Sequence, residues 1–435
     1  MSSFIEEQEQ YLKNKINECG YKVEEVTLNV SSRKEFGDYQ YNGAMSLAKE
    51  YGKNPREIAT DIVESIKKDN KYKDINIAGP GFINITFSDE ELINHINNLN
   101  ENINLNYEND NPKTIFMDYG GANVAKALHV GHLRSANIGE ALKRLVVSLG
   151  NKAIADTHLG DWGRPIGLVM TEIKHRNPEL PYFDENYKGE YPKESPVTND
   201  DLMEIYPLAS EKAKENEEYM EEARDITSKF QLGDKGLMAL WNHIMDVSKA
   251  DIKRVYDRLN VTFETWEGES DCYKYIPETV AYLEEKGFIE ESQGAKIINV
   301  AEPDDDHEVP PVLLIKSNGA ASYESTDVAC LWERMHLFHP DEVWYLTDAR
   351  QALHFEQVFR AVYKSGIVPK STNLEFIPFG TMNGADGKPF KTRDGGVMTL
   401  EALLDLAKEE CEKKILPNIT GEEREQVAEK ISVAA

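Results

Sequence analysis

The chain has 435 residues, 40% of them hydrophobic and 29% charged, which suits a soluble protein of two or three domains with a sizeable core. No apolar run is long enough to cross a bilayer, and the polar, acidic stretch Ser2 to Glu9 excludes a secretory signal. A net charge of −28 argues against nucleic-acid binding by the molecule as a whole, so any contact with phosphate must come from a local basic face.

Residues 1 to about 105 read as a small α+β unit. Phe4 to Cys19 has helical spacing, and Val23 to Val30 alternates like a strand. Asn54-Pro55 places a capping residue before a first-turn proline and opens a helix to Lys67. Ile75 to Ala78 and Phe82 to Phe87 read as paired strands around Gly79-Pro-Gly81, and Ser88-Asp-Glu-Glu91 reads as a capping box that starts another helix. The Asn- and Glu-rich run Asn100 to Pro112 is the natural linker.

From Thr114 strands and helices alternate, which predicts a parallel α/β sheet. The candidate strands are 114–119, 152–157, 312–316, 342–347 and 374–380, with a polar, mostly helical insertion at about 170–310. Within it, residues 201–226 hold nine acidic side chains against three basic ones, the pattern of a solvated helical face. Helices at about 399–413 and 420–431 close the chain, the second opened by a capping box at Thr420-Gly-Glu-Glu423. The four cysteines, Cys19, Cys272, Cys330 and Cys411, lie far apart without a C-x-x-C pair, which points to reduced thiols and away from structural zinc.

His129-Val-Gly-His132 follows the first strand of the sheet and precedes a long helix. A strand, a short loop and a helix start form a phosphate site, because first-turn N–H groups and the positive end of the helix dipole face the anion. Two imidazoles placed there can donate hydrogen bonds to phosphate oxygens as charge develops. Gly131 between them leaves room for a flat ring against the backbone. There is no Gly-x-Ser-x-Gly elbow and no Walker loop, so the protein supplies no nucleophile of that kind.

The stretch Ala122 to Ser135, with its H-V-G-H, resembles the HIGH-motif segment of class I aminoacyl-tRNA synthetases, most closely the arginyl-tRNA synthetases. Gly160-Asp-Trp-Gly163, Tyr323-Glu-Ser-Thr-Asp327, Gln351 to Gln357, Phe36-Gly-Asp-Tyr39 and Gly79-Pro-Gly-Phe-Ile-Asn84 follow the same family in the same order, from about Phe36 to the last residue. The resemblance implies a Rossmann-like catalytic core at 113–398 with a helical insertion, after an α+β tRNA-elbow-binding domain at 1–105. Members carry a helical anticodon-binding domain beyond the core, and the chain stops at Ala435, so 399–435 is expected to be only its start and tRNA charging to be weak.

The activity implied is activation of L-arginine by ATP with Mg2+, then transfer of the arginyl group to tRNA(Arg). No tightly bound organic cofactor is expected, and the protein is expected to be a cytoplasmic monomer. The resemblance gives His129, His132, Lys126 and Lys391 catalytic roles. It sets Ala122, Asn123, Val124, Ala125, Ala127, Leu128, Val130, Gly131 and Lys388 against ATP. Lys388-Pro-Phe-Lys-Thr392 stands where the family has its K-M-S-K-S loop, only partly retained, and Lys126 fits the variant with a lysine just before HIGH.

Arginine calls for carboxylates, since a guanidinium is best held by bidentate charge-assisted hydrogen bonds. The resemblance places Asp118, Asn123, Tyr323, Asp327 and Gln351 around it, with His354, Gln357 and Trp162 as weaker candidates and His158 and His243 as ordinary residues. Phe82 and Asn84 match positions that contact the tRNA elbow, although the alternation from Phe82 to Ile85 equally suits a half-buried strand. Two other readings stay open. One is a tRNA-binding or regulatory paralogue or fragment without full activity. The other is a different HxGH-type adenylate-forming ligase; a cysteinyl-type enzyme would need a zinc-binding Cys/His set.

Overall fold

Apolar residues on the strand and helix faces define one hydrophobic core before the linker region and two large ones after it. The computed structural model describes residues 4–101, 109–380 and 398–434. These fall into two compact units, one through Asp110 (with Ser148–Gly150) and one comprising the rest.

In the first unit, helices α1 (Phe4–Glu18), α2 (Ala44–Tyr51) and α3 (Pro55–Lys67) accompany strands β1 (Asn29–Val30), β2 (Tyr39–Tyr41), β3 (Tyr72–Ala78) and β4 (Phe82–Phe87), and α4 (Asp89–Glu101) follows. The sheet order is β1-β2-β4-β3, all pairs antiparallel. Asn54 caps α3 by accepting from the Arg56 N–H at 2.9 Å, and its apolar stripe Ile58, Ile62, Val63 and Ile66 is buried. Ser88 Oγ accepts from the Glu91 N–H at 3.2 Å, whereas the Glu91 carboxylate pairs with Lys71 at 3.0 Å. The strand expected over Val23 to Val30 is only Asn29–Val30, since β2 offers a partner to those two residues alone.

The second unit is built on β5 (Thr114–Asp118), α5 (Val130–Ser148), β6 (Lys152–Asp156) and α6 (Arg164–Arg176). The helical insertion continues through α7 (Asn199–Glu215), α8 (Glu217–Gln231), α9 (Lys235–Arg258), α10 (Glu269–Tyr273) and α11 (Ile276–Glu285). Strands β7 (Glu290–Ser292), β8 (Ala295–Ile298) and β9 (Val312–Ile315) lead to α12 (Tyr323–Leu337), β10 (Glu342–Asp348), α13 (Ala352–Ser365) and β11 (Asn373–Phe379), with α14 (Leu400–Glu412) and α15 (Gly421–Ala434) last.

The main sheet runs β11-β10-β5-β6, parallel throughout. Alternate residues of β5 point into two cores: Ile115 and Met117 join one, Phe116 the other. Both faces are thereby covered, as a parallel sheet requires. The segment 312–316, expected in this sheet, forms instead the edge of a separate antiparallel sheet β7-β8-β9. In the insertion, buried Glu172 accepts from Lys212 Nζ and Tyr219 Oη, both at 2.9 Å, which ties α6 to α7 and α8. The acidic run 201–226 lies on α7 and α8 and is largely exposed.

Candidate active site

The loop after β5 leads directly into a cavity of about 580 Å³, lined by Asp118, Asn123, His129, His132, His158, Glu269, Tyr323, Asp327, Tyr345 and Gln351 among others. It sits at the carboxyl end of the parallel strands, where open α/β sheets hold ligands. Ser135 on α5 fastens this edge: its Oγ accepts from the Gly120 N–H at 2.8 Å and donates to the Leu346 carbonyl at 3.1 Å. The loop also runs beside the segment after β6, through Gly121 N–H to Thr157 O and Val124 N–H to Gly160 O, each 3.1 Å.

His129 and His132 stack with ring centroids 3.9 Å apart. The His129 N–H donates to His132 Nδ1 at 2.9 Å, and the Gly131 N–H donates to His129 Nδ1 at 3.0 Å. Backbone donors thus occupy both Nδ1 atoms, so a neutral ring must carry its proton on Nε2. Burial, with help from Lys126, lowers the His129 pKa; burial, His129 and Lys126 push His132 down to about 3. Both rings are neutral Nε2–H donors at physiological pH.

This corrects one expectation. The Gly131 N–H is taken by a ring and the Val130 N–H by the Met398 carbonyl at 3.3 Å, so the imidazoles rather than these first-turn N–H groups can present donors to a ligand. Gly131 is needed for the His129 ring itself, since a Cβ there would lie 2.8 Å from His129 Cε1.

Val130, Gly131 and Asn123 line the cavity, whereas Ala122, Val124, Ala125 and Leu128 are buried beneath it in the core. Ala127 is outside the lining, and so is Lys126, whose ammonium lies 4.2 Å above the Tyr206 ring. Lys388 and Lys391 fall outside the described residues.

All five residues expected around arginine, Asp118, Asn123, Tyr323, Asp327 and Gln351, line the one cavity. Tyr323 and Asp327 share a face of α12, and Asp327 accepts from His354 Nε2 at 2.8 Å. Burial lowers the His354 pKa, but its bond to Asp327 outweighs that and raises it overall. Gln357 instead donates to the Pro310 carbonyl at 2.7 Å, and Trp162 packs among Phe230, Trp241 and Tyr273. His243 contacts the Pro192 carbonyl at 2.9 Å.

Three residues escaped the sequence reading. His158, treated as ordinary, lines the cavity with a left-handed backbone, φ 40°, of the kind functional sites hold under strain. Burial lowers its pKa, but Asp156 and Asp118 outweigh burial and push it up to about 9. Glu269, at the start of α10, also faces the cavity; burial and the charges of Asp161 and Asp327 raise its carboxyl to about 7 despite His158. Arg334 is 1% exposed and donates to Asp118 Oδ2 at 2.6 Å, with Asp156 Oδ2 at 3.6 Å and the Phe116 ring beneath its guanidinium at 4.5 Å.

In sequence Cys272 and Cys330 are far apart, the spacing of reduced thiols. The fold brings them to disulfide contact, with His158 beside them, because α10 packs on α12. The Cys/His set that the spacing concealed is therefore present in space. In the first unit, Asn84 is 2% exposed, accepts from Gln40 Nε2 at 2.7 Å and donates to Asn76 Oδ1 at 3.1 Å. This row of amides across β2, β4 and β3 holds the Asn84 side chain, with Asn76 at its exposed end, whereas Phe82 is half-buried.

A parallel sheet with a histidine pair at the start of its first long helix and a carboxylate pocket beside it fits a class I aminoacyl-tRNA synthetase catalytic core. The family model for the class I (R) synthetase catalytic domain matches residues 95–435, and that for the arginyl-tRNA synthetase N-terminal domain matches 6–87. The chain belongs to the arginyl-tRNA synthetase family. It is similar to the arginine–tRNA ligase of Alkaliphilus oremlandii, 46% identical over 100% of this chain and 75% of that protein. The ligase of Agathobacter rectalis is 46% identical over 96% of this chain and 72% of that one. Among solved structures, the Plasmodium falciparum arginyl-tRNA synthetase aligns with a TM-score of 0.69 at 25% identity, covering 100% of this chain and 73% of that one.

Proposed function

We propose that the chain is an arginine–tRNA ligase. The carboxylate of L-arginine attacks the α-phosphate of ATP, giving arginyl-adenylate and pyrophosphate, and a terminal ribose hydroxyl of tRNA(Arg) then takes the arginyl group. One observation carries this: a single cavity is lined both by two neutral imidazoles and by the carboxylates Asp118, Glu269, Asp327 and Asp348. The imidazoles suit phosphate oxygens and the carboxylates suit a guanidinium.

His129 and His132 donate from Nε2 to phosphate as negative charge builds. Asp118 and Asp327 arrive pre-oriented, held by Arg334 and His354. Protonated His158, facing the cavity beside them, balances the negative charge of an amino-acid carboxylate. Catalysis is then positioning and charge neutralisation, with no covalent intermediate on the protein. Mg2+ enters on the ATP phosphates. Among the described residues the cavity carboxylates Asp118, Asp327 and Asp348 each already pair with a cation of the protein, Arg334, His354 or Arg350, so they do not form a resident metal site. The enzyme is read as a cytoplasmic monomer; among the described residues no helix is long and apolar enough to cross a membrane.

The pocket assignment has a direct test. D327N is expected to weaken arginine binding by about 1.5–3 kcal/mol through loss of a charge-assisted partner, with ATP binding unchanged. Arginine binds the ionised form of Glu269, whose pKa is about 7, so arginine KM falls as pH rises through neutrality. E269Q removes that slope. Calorimetric titration with each ligand checks the first expectation, and KM profiles check the second. Equal losses for arginine and ATP in D327N would make Asp327 a structural residue.

A further inference from the structure

Cys272 lies on α10 and Cys330 on α12, separated by 58 residues in the chain and by 4.9 Å between Cα atoms, a spacing that a disulfide spans without backbone movement. Both are buried, at 2% and 1% exposure. Their helices are walls of the pocket: Glu269 opens α10, while Tyr323 and Asp327 precede Cys330 on α12. Each sulfur also has a polar neighbour toward which a thiol could turn: Glu333 Oε2 lies 3.3 Å from Cys272 Sγ and His158 Nε2 lies 3.7 Å from Cys330 Sγ. His158 in turn faces the cavity, which leaves the Cys330 side of the pair one side chain away from it.

We propose that Cys272 and Cys330 form a reversible disulfide that sets the spacing of Glu269 and Asp327 and thereby tunes arginine binding. The tuning rests on the function proposed above; the disulfide itself does not. The oxidant is a hydroperoxide, small enough to pass through the cavity. The Cys330 thiolate, stabilised by the neighbouring imidazolium, attacks a peroxide oxygen. An S–O bond forms, the O–O bond breaks, and the leaving hydroxide is protonated to water.

Cys272, giving its proton up through Glu333, then attacks the sulfenic sulfur of Cys330. The S–S bond forms, the S–O bond breaks, and the departing oxygen takes that proton and leaves as water. Two thiols and one hydrogen peroxide become one disulfide and two waters, and the protein is oxidised by two electrons. A dithiol reductant reverses the step. Two thiols cannot remain at bonding separation, so reduction lets α10 and α12 part at the wall that carries the guanidinium ligands.

The test starts from fully reduced protein freed of reductant, treated with hydrogen peroxide or left untreated, then alkylated under denaturing conditions and digested for mass spectrometry. The expected result is a Cys272–Cys330 linked peptide only after peroxide, lost again with dithiothreitol, with Cys19 and Cys411 alkylated throughout. Calorimetric arginine Kd should be about 3- to 10-fold lower for the oxidised form, the scale expected when binding groups shift by a fraction of an ångström. ATP binding should not change, and C272S should show one arginine Kd under both conditions. Alkylation of both cysteines after peroxide would overturn the disulfide. So would stoichiometric zinc in the purified protein that shields both thiols, because the cluster would then be a metal site. A linked peptide with identical arginine Kd in both redox states would overturn the tuning, and absence of arginine binding in every form would overturn the pocket reading along with it.

Discussion

Replacing His129 or His132 by alanine is expected to lower the rate of arginine activation by about 10²- to 10³-fold each, the effect of removing one preorganised donor to developing charge. The size of the effect follows from the tautomer. Backbone N–H groups occupy Nδ1 of both rings at 2.9 and 3.0 Å, and both pKa values lie below the ordinary histidine value, that of the more enclosed His132 far below it. Each therefore offers one fixed Nε2–H donor that needs no reorganisation during the reaction. The two rings touch, so the double variant should lose less than the product of the single effects. His129 is exposed, so H129A should leave the thermal midpoint close to wild type. Single-turnover activation rates with saturating substrates check this. A folded double variant with wild-type rates would remove the pair from the mechanism.

The second large effect concerns Arg334. Its guanidinium is 1% exposed and stands between Asp118 and Asp156, at 2.6 and 3.6 Å. Removing one member of a buried charge cluster strands the others, at a cost of about 3–5 kcal/mol. R334M keeps much of the volume over the Phe116 ring and should still lose that much stability in urea denaturation near pH 8. The loss should shrink as pH falls. Burial tends to raise the Asp156 pKa, but His158 and Arg334 outweigh it and hold the group below its usual value. A carboxylate whose folded pKa is depressed contributes stability above its unfolded pKa, and that stability is lost as pH falls through the folded value. Without Arg334 its share of this contribution is already gone, so the gap between wild type and variant narrows in acid. A loss under about 1 kcal/mol at pH 8 would mean that the cluster is not coupled as described.

The residues around the histidine pair were legible because strand, loop and helix are all local patterns. The α12 pocket face was legible in part. Tyr323 and Asp327 at helical spacing imply a shared side, and the same periodicity carried one and two turns further reaches Cys330 and Arg334, which were passed over. Glu269 and His158 could not be read that way, since each comes from a segment whose approach to α12 is set by tertiary packing. The run at 312–316 is strand-like in composition, but composition does not name a partner, and it joined the antiparallel sheet. Asn84 shows the reverse limit: in an alternating strand, a polar residue inside an amide ladder reads the same as one aimed at a base.

Arginine-dependent exchange of labelled pyrophosphate into ATP, run with tRNA(Arg) present and with lysine and citrulline as competing amino acids, tests the central claim most directly. Citrulline matches arginine in shape and lacks its charge; lysine has the charge without the planar fork. The account predicts exchange with arginine, none above background with either analogue, and loss of the arginine signal in the His129/His132 double variant. Exchange driven equally by citrulline, or by no amino acid even with tRNA bound, would contradict it.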